Sequence, residues 1–194
     1  MIKLGFFGTT KISAYVLKEL SKIFEVKWVV TQKDRPTGRG LKIQNTEVKT
    51  VAKELGIKVF QYEKFDKAAS VEVVGERVDI AFVVAYGCYI PSCFIKSFDK
   101  EPLNIHLSKL PKYRGAAPVA RSIMNGDSVT GFSIMKIAKE MDAGDVVFQR
   151  DLPIEVDDDT ETLTWKLIKI GTSAIIELLP KYLAGKLSST SQDS

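Results

Sequence analysis

The chain has 194 residues and a formal net charge of +4, from 28 basic and 24 acidic side chains. A chain of this length is expected to form about one domain, whose core is large enough to need no disulfide or metal for stability. The composition, 45% hydrophobic and 27% charged, is that of an ordinary globular protein without repeats or low-complexity tracts. The small positive charge is compatible with a polyanionic partner but does not identify one.

Residue spacing and hydropathy exclude metal-stabilised, disulfide-rich and membrane-spanning classes. The chain has one histidine and two cysteines, Cys88 and Cys93, without the paired spacing of a zinc site, so no metal is expected. The cysteines are interpreted as small hydrophobic residues in a reducing compartment. The N-terminus has no signal-peptide pattern, and no apolar run reaches the ~18 residues of a membrane span. These features predict a cytoplasmic protein without membrane contact.

The first half of the chain predicts strands and helices in alternation. Its elements, in chain order, are a strand at residues 2–7, a helix at 12–23, a strand at 26–31, a helix at 48–55, a strand at 57–61, a helix at 68–76 and a strand at 78–85. Continuously apolar strands are typical of a parallel sheet that is covered on both faces. The predicted fold class is α/β, a Rossmann-like, doubly wound and mostly parallel sheet with helices on both faces.

A long polar segment at residues 32–42 follows the second strand. It contains glycine, proline and four basic residues, which are Lys33, Arg35, Arg39 and Lys42. One interpretation is a solvated connection between two elements. The other is a mobile loop that binds phosphates, because flexible arginine and lysine side chains suit a nucleic-acid backbone. Composition alone leaves both interpretations open.

The second half of the chain predicts further strands and helices and a polar tail. Its elements are a strand at residues 103–106, a helix from Pro118 to about 124, strands at 130–137 and 146–154, and a long helix that starts at 160 or 161 and ends at Gly185. Residues 188–194 are polar and have nothing to bury, so they are expected to be disordered.

The only histidine of the chain, His106, lies at the end of the 103–106 strand. Asn104 and His106 are expected on the same face of that strand, because side-chain direction alternates along a strand. In open α/β sheets, ligands bind beyond the carboxyl ends of the strands. The turn after His106 and the turn at Tyr86 and Gly87, which ends the preceding strand, are therefore candidates to line one crevice.

These residues allow acid–base chemistry, although a lone histidine is more often structural and that alternative stays open. Histidine exchanges protons near neutral pH because its unperturbed pKa is ~6.5, and an asparagine amide can donate a hydrogen bond to an oxyanion. A polar loop after a later strand adds Asp142 and Asp145. No serine or cysteine nucleophile stands out. The set Asn104, His106 and Asp142 favours direct acyl-type transfer, with the attacking group on the substrate.

Four stretches carry a resemblance to a known family. Asn104-x-His106 is followed by SKLP at 108–111, YRGAAP at 113–118 and MDAGD at 141–145. Together they resemble the formyltransferases that use 10-formyltetrahydrofolate. The stretch TQKDRPTGRG at 31–40 is similar to the insertion that some members of this family use on initiator tRNA. The resemblance covers residues 2–193.

The resemblance implies a reaction and a role for each site residue. The formyl group of 10-formyltetrahydrofolate would pass to the α-amine of methionyl initiator tRNA by direct attack and a tetrahedral intermediate. Asn104 would hold and polarise the formyl oxygen, and His106 would protonate or stabilise the intermediate. Asp142 would orient the imidazole and help to relay the proton. The protein would act in translation initiation.

The resemblance also implies which residues bind the substrates. Folate would lie against residues 108–111 and against the backbone around residues 86–89 and 137–142. The residues named for this role are Tyr86, Gly87, Cys88, Tyr89, Ser108, Lys109, Leu110 and Pro111. Initiator tRNA would be bound by basic residues, which are Arg35, Arg39, Lys42 and Arg114. The implied partners are folate and initiator methionyl-tRNA, and the chain is expected to be a monomer.

The resemblance further implies that residues 1–187 form a catalytic domain and that 188–194 begin a linker, with the C-terminal β-barrel domain of family members absent. Two alternatives stay open. One is a formyltransferase whose acceptor is a ribonucleotide amine or an amino sugar, although residues 35–40 and 114–118 favour tRNA. The other is a truncated domain that binds folate or RNA with little turnover.

Overall fold

The computed structural model describes residues 1–37 and 42–193. The backbone forms two compact units, which are called unit 1 (Met1–Pro102) and unit 2 (Leu103–Ser194). Within the described ranges, no helix is long and apolar enough to cross a lipid bilayer.

Unit 1 consists of strands and helices that alternate along the chain, as its sequence predicts. Its elements are β1 (Lys3–Gly8), α1 (Lys11–Leu20), β2 (Glu25–Gln32), β3 (Arg35–Thr37), β4 (Lys42–Gln44), α2 (Glu47–Glu54), β5 (Lys58–Tyr62), α3 (Lys67–Val74), β6 (Ile80–Val84) and α4 (Ser92–Ile95). Strands β5, β2, β1 and β6 lie side by side in that order and run parallel. This arrangement confirms the predicted α/β class with a mostly parallel sheet.

Large aromatic side chains fill the core of unit 1. Every residue of β1 except Lys3 is buried, which explains why its sequence is continuously apolar. A Cβ atom at Gly5 would lie 2.1 Å from the Trp28 ring, so only glycine admits this ring beside β1. Phe7 packs edge-on against Trp28 and Phe65, with ring centroids 5.5 and 5.1 Å away. Gly5 therefore makes room for the Trp28 ring in the core.

A short hairpin occupies part of the segment that was predicted to be a loop. Strands β3 and β4 pair antiparallel, with Arg35 opposite Gln44. The Asp34 carboxylate, just before β3, accepts hydrogen bonds from the Lys49 ammonium and, at 2.8 Å, from Gln61 Nε2. The loop prediction is therefore wrong for residues 35–37 and for Lys42, where β4 begins. Strands this short carry no apolar alternation that a sequence pattern can reveal.

Unit 2 is built on antiparallel strands. Its elements are β7 (Leu103–His106), α5 (Pro118–Met124), β8 (Val129–Lys136), β9 (Val146–Pro153) and α6 (Thr160–Leu183). Strand β7 pairs antiparallel with β8, and β8 pairs antiparallel with β9. The sequence predicted the positions of these elements closely. It did not predict the strand directions, because direction depends on pairing between residues that are distant in sequence.

Residues 188–193 are ordered, so the predicted disorder of the tail is wrong for this range. The backbones of Thr190 and Val146 exchange two hydrogen bonds, at 2.8 and 2.9 Å. Ser189 and Ser191 donate to the two oxygens of the Asp145 carboxylate, at 3.2 and 3.3 Å. Hydrogen bonds, which the hydrophobic pattern does not record, hold this polar segment in place.

Candidate active site

Strand β7 presents Asn104 and His106 on one face, as the alternation of a strand requires. Both residues are almost fully buried, with exposed fractions of 9% and 7%. Opposite them in β8 lie Met135 and Ser133. Within the described part of the chain, no hydrogen bond engages the Asn104 carboxamide. Its amide donors and its carbonyl oxygen are therefore available to a ligand.

The His106 ring lies between two hydrogen-bond acceptors. Its Nε2 atom is 2.9 Å from the main-chain oxygen of Tyr113. A carbonyl oxygen only accepts, so Nε2 carries a hydrogen and donates it. Its Nδ1 atom lies 3.4 Å from Oδ2 of Asp142, which is longer than a normal hydrogen bond. Nδ1 is thus the ring atom that is free to exchange partners.

Asp142 has a left-handed backbone conformation, with φ of 52°. This conformation is costly for a residue other than glycine, and it persists only where neighbouring contacts impose it. One such contact is made by the Gly115 N–H group, which donates to Oδ2 of Asp142 at 2.9 Å. The same carboxylate oxygen faces His106. The strained backbone and the Gly115 hydrogen bond together aim the carboxylate at the imidazole.

The loop that carries Asp142, residues 137–145, is closed tightly at its base. The Lys136 N–H group donates to the Asp145 main-chain oxygen at 2.9 Å. A Cβ atom at Gly144 would lie 1.9 Å from the Lys136 oxygen, so the base of the loop has no room for a side chain there. The Lys136 ammonium, 3.3 Å from the Asp145 carboxylate, lowers the pKa of that carboxyl, and the hydroxyls of Ser189 and Ser191 act in the same direction. At the base of the loop, Gly144 thus leaves no space for a side chain. The negative charge of Asp145 there is stabilised by the Lys136 ammonium and by two hydroxyl groups.

The segment between β7 and α5 also has an unusual backbone. Tyr113, Gly115 and Ala117 all have positive φ, at 59°, 88° and 51°. The Arg121 guanidinium on α5 holds this segment, because Nη2 donates to the main-chain oxygens of Tyr113 at 2.8 Å and of Arg114 at 2.7 Å. Strained backbone of this kind often marks a functional site. Here it places the Tyr113 oxygen against His106 and the Gly115 N–H group against Asp142.

The predicted folate-binding residues after β7 form a compact turn. Ser108 is fully buried, and its hydroxyl donates to the Lys112 oxygen at 2.6 Å. Leu110 uses both its main-chain groups, since its N–H donates to Ser133 Oγ and its oxygen accepts from Gln149 Nε2. Lys109 forms an exposed ion pair at 2.8 Å, and the turn borders an open depression of about 500 Å³. The depression is lined by Lys109, Leu110, Pro111, Lys112, Tyr113, Asp127, Val129, Thr130 and Asp151, and none of the three catalytic candidates lines it.

The other predicted folate-binding segment, Tyr86 to Tyr89, lies in unit 1. The Tyr86 ring is buried and packs edge-on against Phe7 at 5.2 Å, and this burial raises the pKa of its phenol. The Tyr86 oxygen accepts from Thr9 Oγ1 and from Gln32 Nε2. Gly87 has φ of 77°, Cys88 is partly exposed and Tyr89 is exposed. The Tyr86 ring therefore belongs to the core of unit 1, whereas Cys88 and Tyr89 are accessible to solvent.

The predicted tRNA-binding residues are distributed over both units. Arg35 is exposed in β3, and Lys42 begins β4. Arg39 lies outside the described residues. Arg114 binds the C-terminal segment of unit 2: Nε donates to Oε1 of Gln192 at 2.9 Å, and Nη2 donates to the Asp193 oxygen at 3.1 Å.

Three contacts around the site were missed by reasoning from the sequence. They are the Gly115 N–H bond to Asp142, the Arg121 bonds to the strained segment and the Gln192 bonds to the Asp142 loop. In the sequence, the only indication of the first two contacts was that Gly115 lies within the YRGAAP stretch at 113–118 and Arg121 lies just after it. Gln192 was not predicted to reach the site, because it lies in a segment that was expected to be disordered.

Comparison with protein-family models identifies the family. Residues 4–179 match the model described as formyl transferase. The chain belongs to the formyl transferase family. This match confirms the family resemblance of the chain.

Relatives within the formyl transferase family are similar over the whole chain. The methionyl-tRNA formyltransferases of Listeria innocua and Streptococcus pyogenes are 39% and 43% identical to it over 100% of its length. The chain spans 62% and 63% of these two proteins.

Solved structures of formyltransferases show the same fold. Glycinamide ribonucleotide transformylase 1 from Symbiobacterium toebii has a TM-score of 0.80 at 17% identity, covering 100% of this chain and 95% of its own. An N-formyltransferase from Helicobacter canadensis, solved with folinic acid and dTDP-3-aminofucose, has a TM-score of 0.76 at 20% identity and covers 100% of this chain and 68% of its own. These similarities confirm the predicted fold class.

Proposed function

We propose that this formyl transferase moves the formyl group of 10-formyltetrahydrofolate to the α-amine of methionyl initiator tRNA in the cytoplasm. The observation that carries the proposal is the His106 ring between the Tyr113 oxygen and the Asp142 carboxylate, with the Asn104 carboxamide on the same strand face. The names of the relatives support this acceptor. A ring held in this way suits proton exchange at one nitrogen beside an amide that can bind an oxygen.

Asn104 is proposed to bind the formyl oxygen. Its carboxamide is buried to 9% exposure and is not engaged by the described residues. A donor in such a dry, fixed position stabilises charge that develops on an acyl oxygen, and where such a donor has been removed the rate has fallen ~10²–10³-fold. The carboxamide thus fits an acyl oxygen by its chemistry and by its freedom from internal partners.

His106 and Asp142 are proposed to manage the proton that the attacking amine loses. Nε2 is held by the Tyr113 oxygen, so Nδ1 is the atom that takes or gives a proton. Asp142 Oδ2 lies 3.4 Å from Nδ1 and compensates the charge of the protonated ring. No nucleophilic side chain is required, because the substrate amine attacks directly.

The donor 10-formyltetrahydrofolate supplies an activated formyl group and a nitrogen that can leave. The main-chain groups of the 108–111 turn are largely used within unit 2. We therefore propose that Lys109, Pro111 and the exposed parts of the Gly87 to Tyr89 segment supply side-chain and surface contacts to folate. No group of histidine, cysteine or carboxylate residues that could hold a metal ion occurs in the described part of the chain.

The tRNA partner is proposed to be bound by Arg35, Arg39 and Lys42. Arg35 lies in β3 and Lys42 begins β4, and Arg39 comes between them in the sequence. Arg114, which binds Gln192 beside the Asp142 loop, is proposed to contribute to tRNA binding at the active site. Residues 1–187 are proposed as the catalytic domain, with the following residues as the start of a linker.

The deciding experiment measures formyl transfer from labelled 10-formyltetrahydrofolate to methionyl initiator tRNA. Asn104→Asp, His106→Gln and Asp142→Asn preserve side-chain size and are expected to lower kcat by ~10²–10⁴-fold. Asp157→Asn, which changes an exposed carboxylate of the same unit, is the control and should leave kcat unchanged. Full turnover by His106→Gln would refute the catalytic assignment.

The acceptor is tested in the same assay with glycinamide ribonucleotide and a nucleotide-linked amino sugar in place of tRNA. The solved structures with these activities share the fold, so both acceptors are reasonable competitors. Transfer to either one, without transfer to methionyl-tRNA, would refute the tRNA proposal. Binding of folate without transfer to any acceptor would instead indicate a binding domain with little turnover.

A further inference from the structure

The C-terminal segment of unit 2 reaches the Asp142 loop through the side chain of Gln192. Its Nε2 atom donates to the main-chain oxygens of Asp142 at 2.9 Å and of Gly144 at 2.6 Å. Its Oε1 atom accepts from Arg114 Nε at 2.9 Å. Both amide hydrogens and the amide oxygen are therefore used. Only a carboxamide offers two donors and an acceptor on one planar group.

These bonds complete a closed ring of contacts around Asp142. The Gly115 N–H group holds the Asp142 carboxylate, while the adjacent residue, Arg114, holds Gln192. Gln192 in turn holds the Asp142 main chain. Two neighbouring residues thus hold Asp142. Gly115 binds its carboxylate directly, and Arg114 holds its main chain through Gln192.

The backbone of Asp142 needs such a restraint. The φ of 52° at Asp142 is unfavourable for a residue with a side chain. The loop is therefore expected to relax if the main-chain oxygens of Asp142 and Gly144 lose their hydrogen bonds to Gln192. Relaxation would displace the carboxylate relative to Nδ1 of His106, which lies 3.4 Å from Oδ2 of Asp142. A small displacement there removes the contact.

We infer that Gln192 is a positioning residue, which acts on His106 through Asp142. Gln192 therefore belongs to the machinery of the site, so the segment that carries it is more than the start of a linker. The consequence for catalysis rests on the proposed function. The consequence for the His106 ring does not, because it follows from the hydrogen bonds alone.

The test compares Gln192→Met with Ser191→Ala. Methionine keeps the length of glutamine and removes its three hydrogen bonds. Gln192→Glu is a second variant, which keeps the acceptor for Arg114 and replaces the donors that face the two carbonyls. Ser191 is the neighbouring control, because its hydroxyl binds Asp145 at 3.3 Å and does not contact the Asp142 main chain. Melting temperatures of all variants establish that they fold.

The first readout is the imidazole nitrogen spectrum of the chain labelled with ¹⁵N-histidine. The chain has a single histidine, so its Nδ1 and Nε2 resonances belong to His106 without further assignment. Gln192→Met and Gln192→Glu are expected to shift the Nδ1 resonance in the direction that Asp142→Asn shifts it. The Nε2 resonance, which reports the bond to Tyr113, should stay close to its wild-type position. Ser191→Ala should change neither resonance.

The second readout is the kinetics of formyl transfer. Loss of an outer positioning contact is expected to lower kcat by about 10–100-fold, with KM for both substrates nearly unchanged. In the Asp142→Asn background the Gln192→Met change should have little further effect, because residues that act through one another are not additive.

The outcomes separate the two proposals. An unchanged Nδ1 resonance in folded Gln192→Met and Gln192→Glu variants would overturn the positioning role, whatever their activity. Full and additive losses in the Asp142→Asn background would overturn it as well. If the wild-type chain transfers formyl to no acceptor, the proposed function fails, and the Nδ1 response still decides whether Gln192 positions Asp142.

Discussion

Gly171 on helix α6 lets that helix approach strand β7 on the face opposite Asn104 and His106. A Cβ atom at Gly171 would lie 2.3 Å from Cδ1 of Ile105 and 3.5 Å from the Phe132 ring. Ile105 lies between the two catalytic candidates in β7 and is 5% exposed. A Gly171→Ala variant must therefore displace the Ile105 side chain or the strand that carries it.

The expected effect of Gly171→Ala on stability is the difference of two terms. Overpacking of a buried site costs about 1–3 kcal/mol, whereas alanine in a helix interior is ~1 kcal/mol better than glycine. The free energy of unfolding should fall by about 0–2 kcal/mol as the net result. Ile105→Val removes the atom in the close contact and should cost about 0.5–1.5 kcal/mol by itself.

The double variant Gly171→Ala, Ile105→Val should be nearly as stable as the wild type. The close contact is absent in it and the helix gain remains, so the two changes should couple favourably by about 1–3 kcal/mol. Urea unfolding of the four proteins, followed by tryptophan fluorescence, gives the coupling free energy. If the strand that carries Ile105 is displaced, formyl transfer should be reduced in Gly171→Ala and restored in the double variant. Additive destabilisation within about 0.5 kcal/mol would refute the reasoning.

Three further variants test the surroundings of the site. The Lys112 ammonium lowers the pKa of Asp127 from 3.8 to about 2, so this carboxylate stabilises the fold above about pH 4 and loses that effect as the pH falls towards 2. Asp127→Asn should therefore make the free energy of unfolding less dependent on pH in the acid range. An unchanged pH dependence would contradict this role of Asp127. Gly144→Ala should destabilise unit 2 by about 1–3 kcal/mol or more and abolish formyl transfer, because its Cβ would lie 1.9 Å from the Lys136 oxygen. An unchanged melting temperature would show that the loop backbone can move to accommodate the side chain, against this prediction. Arg39→Ala should raise KM for methionyl-tRNA and reduce its dependence on salt, since the phosphate contact proposed for this residue would be lost. An unchanged KM would argue against the proposed tRNA role of Arg39.

Local patterns in the sequence were sufficient for most of the fold and for part of the site. The strands and long helices were predicted nearly within their observed bounds, because each buries a face whose periodicity is visible in the sequence. The shared face of Asn104 and His106 followed from the alternation of one strand. Both features depend on residues that are close together in the chain.

The tertiary structure decided how the site is held. The approach of Asp142 to Nδ1 of His106, the Gly115 bond that aims it and the Gln192 amide behind it all join residues that are distant in sequence. The antiparallel direction of β8 and the order of residues 188–193 depend on similar pairings. A hydrogen bond between distant residues leaves no period in the sequence, since any polar side chain at the right position can make it. Composition and periodicity thus determined which residues are buried, whereas only the folded backbone determined which polar groups meet.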